Sequence, residues 1–186
     1  DGTLTQKTHN FDELRTHLGV TPEFDGNILQ FIDSLPPDKR KTTQEALLAY
    51  GFTHAEKAQP QAGAKEVLHF LYKKKTHLGV LTRNNRDVAL RTLEVIGLLD
   101  FFDPEDILGR DEALPKPSPT GIQTLLTQWQ GSPKEAVIVG DFHFDLHCGK
   151  NAGTTTVLVN QETNLWPDLA DYYFPTCQEL LANLEL

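Results

Sequence analysis

The sequence contains no methionine and only two cysteines in 186 residues. Cys148 and Cys177 match neither the paired spacing of a zinc site nor the dense framework of a disulfide-stapled secreted domain. They read as two reduced thiols of a cytoplasmic protein. No apolar run approaches the roughly 20 residues needed to span a bilayer, so no membrane partner is expected. Positive charge is scarce as well, with 17 Lys and Arg against 26 Asp and Glu and a net charge of −9. That balance argues against a general electrostatic grip on nucleic acid or anionic lipid. Any anion bound here must be held by a local cluster of groups. Asp1 stands first and no initiator is present, so a further piece of chain is expected ahead of it.

What is present is ordinary for a globular protein, with 39% apolar and 23% charged residues. The length suits one domain, or a core with a small insert. From residue 64 onward, strand-like and helix-like segments alternate. Helices are predicted over residues 64–75, 87–96, 119–130 and 145–152, and from the Thr176/Glu179 capping pattern to Leu184. Short apolar strands are predicted at 78–81, 107–108, 136–139, 155–159 and 172–174. Continuous apolar strands, each followed by a helix, indicate an α/β fold: a Rossmann-like parallel sheet with helices on both faces. The stretch 6–61 shows no strand-like run. It offers helices at 11–18 and 26–35 and a third at 38–58, with a break expected at Gly51. We read it as a small all-α insert, with residues 1–5 and 62–186 forming the core. A monomer or weak homodimer is expected.

Four polar segments follow real or implied strands, where open α/β sheets bind their ligands. Asp1-Gly2-Thr3 would alone be a turn. Thr82-Arg83-Asn84 places a hydroxyl, a guanidinium and an amide where a strand meets a helix, suited to phosphate oxygens or to capping the helix. Lys116 is fixed between Pro115 and Pro117, which lowers the entropic cost of presenting its ammonium to a phosphate. Gly140-Asp141 and Asp145 set two carboxylates four residues apart after a buried strand. Hard oxygens of this kind suit Mg²⁺, although Asp145 could equally serve the helix dipole.

In this order, the four segments resemble the signature of the haloacid-dehalogenase-like superfamily. Asp1-Gly2-Thr3 is similar to the end of its Asp-x-Asp-Gly-Thr motif, Thr82 to the second motif and Lys116 to the third. Gly140-Asp141 with Asp145 is similar to Gly-Asp-x-x-x-Asp. The phosphoglycolate-phosphatase-like branch, with a small helical cap after the first motif, matches best. The resemblance implies a Mg²⁺-dependent phosphatase of a small phosphorylated metabolite, acting through an aspartyl-phosphate. It assigns Asp1 as general acid/base and Lys116 as the catalytic cation. Thr82, Arg83, Asn84 and Lys116 would bind phosphate. Asp141, Asp145 and Asp1, the last through its carbonyl, would hold the metal. The nucleophile would lie two residues before Asp1, at the end of a central strand of about ten residues. An acid at the position of Asp1 favours an oxygen leaving group, which needs a proton, over a halide, which does not. A phosphomutase of the same superfamily, or a catalytically silent module binding phosphate ligands or a protein, are the rival expectations.

Overall fold

A computed structural model describes residues 1–7 and 10–184. Residues 8 and 9 of the expected insert, and 185 and 186 of the expected core, lie outside the described residues. The fold is α/β. Eight helices and five strands are present among the described residues: α1 (Phe11–His17), α2 (Ile28–Ser34), α3 (Pro37–Ala55), α4 (Ala64–Lys73), β1 (Val80–Leu81), α5 (Arg86–Val95), β2 (Ile107–Leu108), α6 (Thr120–Gln128), β3 (Val137–Gly140), α7 (His143–Ala152), β4 (Thr155–Val159), β5 (Tyr172–Phe174) and α8 (Cys177–Leu184).

Every strand pairing is parallel, as the βα alternation requires. β1 pairs with β2, while β3, β4 and β5 form a second ladder in that order. Side-chain alternation along β3 and β4 decides how the helices cover them. Val139, Val157 and Val159 pack with Val67 of α4 and Leu180 of α8. Ile138 points the other way, toward Ile122 and Leu126 of α6 and Cys148 of α7. Helices therefore lie on both faces. Leu158 and Val159 are fully buried, and burial of each such side chain is worth roughly 1.5–3 kcal/mol. The two ladders share packing partners. Leu81 of β1 joins the cluster beneath α6, and Leu4 touches the cores on both sides.

Helices α1 to α3 build a small core of their own from Leu14, Leu18, Val20, Ile32 and Leu47. Asn10 caps α1 by accepting from the amides of Asp12 and Glu13, and Asn27 caps α2 in a reciprocal box with Gln30. The chain enters and leaves this helical part through one clamp. Thr5 and Pro60 form an antiparallel bridge, Gln6 N donates to Gln59 O at 2.9 Å, and Gln61 N donates to Leu4 O at 2.9 Å.

Two sequence expectations need correction. α3 runs unbroken through Gly51. A side chain there would meet Val88 of α5 at 3.1 Å, so this glycine serves close helix packing rather than a break. α6 spans Thr120–Gln128, starting one residue after and ending two residues before the predicted 119–130, with Pro119 at its N-cap. Both thiols are free and buried, and burial pushes the Cys148 thiol up to about 11. Among the described residues, no helix is long and apolar enough to cross a membrane.

Candidate active site

The site lies at the carboxyl ends of β1 and β3. β3 ends in Gly140, and the next residue, Asp141, is buried. Its Oδ1 accepts from Thr3 Oγ1 at 2.8 Å, and its Oδ2 lies 3.1 Å from the ammonium of Lys7. The Asp1-Gly2-Thr3 strip is thereby laid against the end of β3. Gly2 makes this approach possible. Its φ is +79°, and an added Cβ would stand 2.3 Å from Asp141 Oδ2, far inside van der Waals contact. Gly2→Ala should therefore cost about 1–3 kcal/mol in backbone strain and push Asp141 out of place. Thermal unfolding should show a lower Tm; an unchanged Tm would mean that Gly2 does not set this approach.

Asp145 sits in the first turn of α7, close beneath Gly140, where a Cβ would come within 2.2 Å of it. Its Oδ1 accepts from Lys116 Nζ at 2.6 Å and its Oδ2 from the amide of Phe142 at 3.1 Å. The Lys116 and Asp145 side chains are only 13% and 10% exposed, so each charge depends on the other to offset desolvation. Arg83 completes the row. Its guanidinium lies over the Phe144 ring at 4.0 Å and donates to the carbonyl of Lys116 at 3.0 Å. Burial lowers its pKa below the usual arginine value, with Asp145 opposing.

Thr82 and Asn84 follow β1, and their oxygens serve the turn. Thr82 Oγ1 accepts from Asn84 N at 3.0 Å, and Asn84 Oδ1 from Asn85 N at 2.9 Å. Asn85, not Asn84, caps α5. Asp1 is solvent-exposed, and its Oδ1 accepts from Thr5 Oγ1 at 3.4 Å. The structure thus gathers Asp141, Asp145, Lys116 and Arg83 with the Asp1–Thr5 strip, and Thr82 and Asn84 occupy the turn that carries Arg83.

Sequence reasoning missed four contributors. Asn160, at φ +57°, donates to the carbonyls of Gly2 and Thr3 at 3.0 and 3.1 Å. Gln161 donates to the carbonyl of Asp141, and Tyr173 Oη to that of Gln161 at 2.8 Å. Lys7 is the fourth. Asn160 and Gln161 follow β4 directly, so the strand-end rule that exposed the other segments would have found them.

The donor chemistry fits a hard dication. Asp141 is a buried carboxylate that draws the Lys7 ammonium to one oxygen and the Thr3 hydroxyl to the other. Among the described residues, no set of three His, Cys, Asp or Glu side chains gathers as a metal cluster, and both oxygens of Asp145 have protein donors.

Residues 8–159 match the sequence model of the haloacid dehalogenase-like hydrolases. The chain is 34% identical over 146 residues to a haloacid dehalogenase-like hydrolase domain-containing protein of Arabidopsis thaliana, covering 76% of this chain and 57% of that one. It is 35% identical over 95 residues to pyrophosphatase PpaX of Listeria welshimeri, covering 50% of this chain and 43% of that one. The chain thus spans about half the length of these curated relatives. Among solved structures, a hydrolase from Pseudomonas syringae shares the fold, with a TM-score of 0.78 at 18% identity over 100% of this chain and 94% of that one. The chain belongs to the haloacid dehalogenase-like hydrolase family.

Proposed function

We propose that the protein is a Mg²⁺-dependent phosphatase of a small phosphorylated metabolite, working in the cytoplasm as a monomer or weak homodimer. The observation that carries this reading is the row Thr3–Asp141, Phe142–Asp145–Lys116 at the strand ends. It sets the Asp1–Thr5 strip against a buried carboxylate through the Thr3 hydroxyl, with an ordered ammonium alongside. We divide the chain into a catalytic core, residues 1–5 and 62–186, and a helical cap, residues 6–61, hinged at the Thr5–Pro60 bridge.

Mg²⁺, held by Asp141, the carbonyl of Asp1 and in part Asp145, would supply positive charge to the phosphoryl oxygens. The chain's own residues do the rest. Lys116, ordered by Asp145, offsets the repulsion between a carboxylate nucleophile and an anionic ester. Thr82, Arg83 and Asn84 border the phosphate at the end of β1, and Arg83 also fixes the Lys116 carbonyl. Asp1 protonates the leaving alkoxide and then takes a proton from the water that hydrolyses the aspartyl-phosphate. On this reading the attacking carboxylate would precede Asp1 by two residues, the spacing of the Asp-x-Asp-Gly-Thr motif that Asp1-Gly2-Thr3 resembles.

Phosphate release from a panel of small phosphate monoesters tests the proposal in the full-length protein. Pyrophosphate belongs in the panel because a relative is named a pyrophosphatase. Release should depend on Mg²⁺ and stop with a chelator. Phosphate binding without release from any panel member would favour the silent binding module.

A further inference from the structure

Beside the proposed site, the loop from Asp141 into α7 carries three successive rings: Phe142, His143 and Phe144. Phe142 is held at the site by its backbone, because its amide donates to Asp145 at 3.1 Å, yet the residue is 42% exposed. An aromatic ring placed in solvent beside two buried carboxylates gains nothing from the core. Instead it packs with neighbouring rings. Trp166 meets Phe142 edge to face at 5.3 Å and 80°, and His143 meets Trp166 at 5.6 Å and 60°. Phe142 and His143 are 4.3 Å apart. Trp166 is itself anchored, its amide donating to Asn164 Oδ1 at 3.0 Å and its carbonyl accepting from Leu169 and Ala170.

Charge and rings meet at this loop. The cations Arg83 and Lys116 lie on the Phe144 and Asp145 side. Phe142 and Trp166 are uncharged. An anion held by Arg83 and Lys116 would lie next to the braced rings, since Phe144 beneath Arg83 is itself 5.4 Å from Phe142.

We infer that Phe142, His143 and Trp166 form an aromatic wall for the leaving group, and that the site prefers phosphate esters carrying an aromatic ring close to the ester oxygen. The inference rests on the phosphatase reading for its chemistry but not for its binding geometry. Planar rings gain from offset or edge-to-face contact with such a wall, whereas saturated rings gain only from apolar contact.

Benzyl phosphate and cyclohexylmethyl phosphate test this directly. Both are esters of primary alcohols with similar reach, and they differ chiefly in the π system. The full-length protein should favour the benzyl ester in kcat/KM by about five- to tenfold, the size of a good aromatic contact. In Phe142→Leu and Trp166→Leu the ratio should fall toward one. A ratio near one in the parent protein, or a ratio unchanged in both variants, would overturn the inference. Binding of benzylphosphonate and cyclohexylmethylphosphonate, followed by calorimetry, needs no turnover. Selective benzylphosphonate binding that Phe142→Leu removes, without hydrolysis of either ester, would keep the wall and sink the phosphatase reading. Equal binding of the two phosphonates alongside hydrolysis of both esters would do the reverse.

Discussion

Asp1→Asn should slow hydrolysis of an alkyl phosphate by about 10²–10⁴-fold in the full-length protein, the usual worth of a general acid/base. The asparagine keeps the shape of the side chain and can still accept from Thr5 Oγ1, as Asp1 does at 3.4 Å. It cannot deliver a proton. An alkoxide is a poor leaving group and needs that proton, whereas an aryl oxide leaves with far less help. The loss should therefore shrink steadily as leaving-group pKa falls. The measurement is kcat/KM across esters of graded leaving-group pKa. A parallel loss across the whole series would mean that Asp1 does not move a proton to the leaving group.

Lys116→Ala should behave differently. Removing one preorganised charge from a phosphoryl site costs about 10²–10³-fold, and the loss should be the same for aryl and alkyl esters. Inhibition by inorganic phosphate should weaken with it. A second effect follows from the pairing in the structure. Asp145 would lose the donor at 2.6 Å while remaining about nine-tenths buried, and an orphaned buried charge is costly. The variant should unfold at a lower Tm. Asp145→Asn separates the two effects, because it keeps the ammonium at position 116 but removes its counter-ion. Its phosphate affinity should fall less than that of Lys116→Ala. Equal phosphate inhibition in the parent and in Lys116→Ala would remove Lys116 from the phosphate site.

The strands and their parallel pairing were legible because buried parallel strands have a plain signature: continuous apolar runs such as Thr155–Val159, each followed by a helix. The Thr176/Glu179 cap was legible too, since its chemistry is local. Gly51 was misread because a glycine's purpose lies in what approaches it. Val88 is distant in sequence but lies 3.1 Å from where a Cβ would stand. Within the site, residue types and order exposed Asp1, Lys116, Asp141 and Asp145. The pairing of Lys116 with Asp145 could not be read, because it depends on how β3, α7 and the Pro115–Pro117 loop converge in space. The involvement of Lys7 depends on that convergence too, whereas Asn160 and Gln161 could have been found from their place directly after β4. Arg83 shows the same limit: its neighbours Phe144 and the Lys116 carbonyl come from two other segments.

If Asp141 and the residues around it support reversible phosphoryl transfer to a carboxylate, as proposed, inorganic phosphate reports it without the natural substrate. Inorganic phosphate is the product of any such reaction. An enzyme that forms an aspartyl-phosphate must exchange phosphate oxygens with water as the reaction runs in both directions. The measurement is ¹⁸O incorporation from labelled water into inorganic phosphate, with the full-length protein and Mg²⁺. Exchange should be present, stop with a chelator, return with Mg²⁺, and be absent in Asp141→Asn. Phosphate that binds in the presence of Mg²⁺ but never acquires ¹⁸O would contradict the claim.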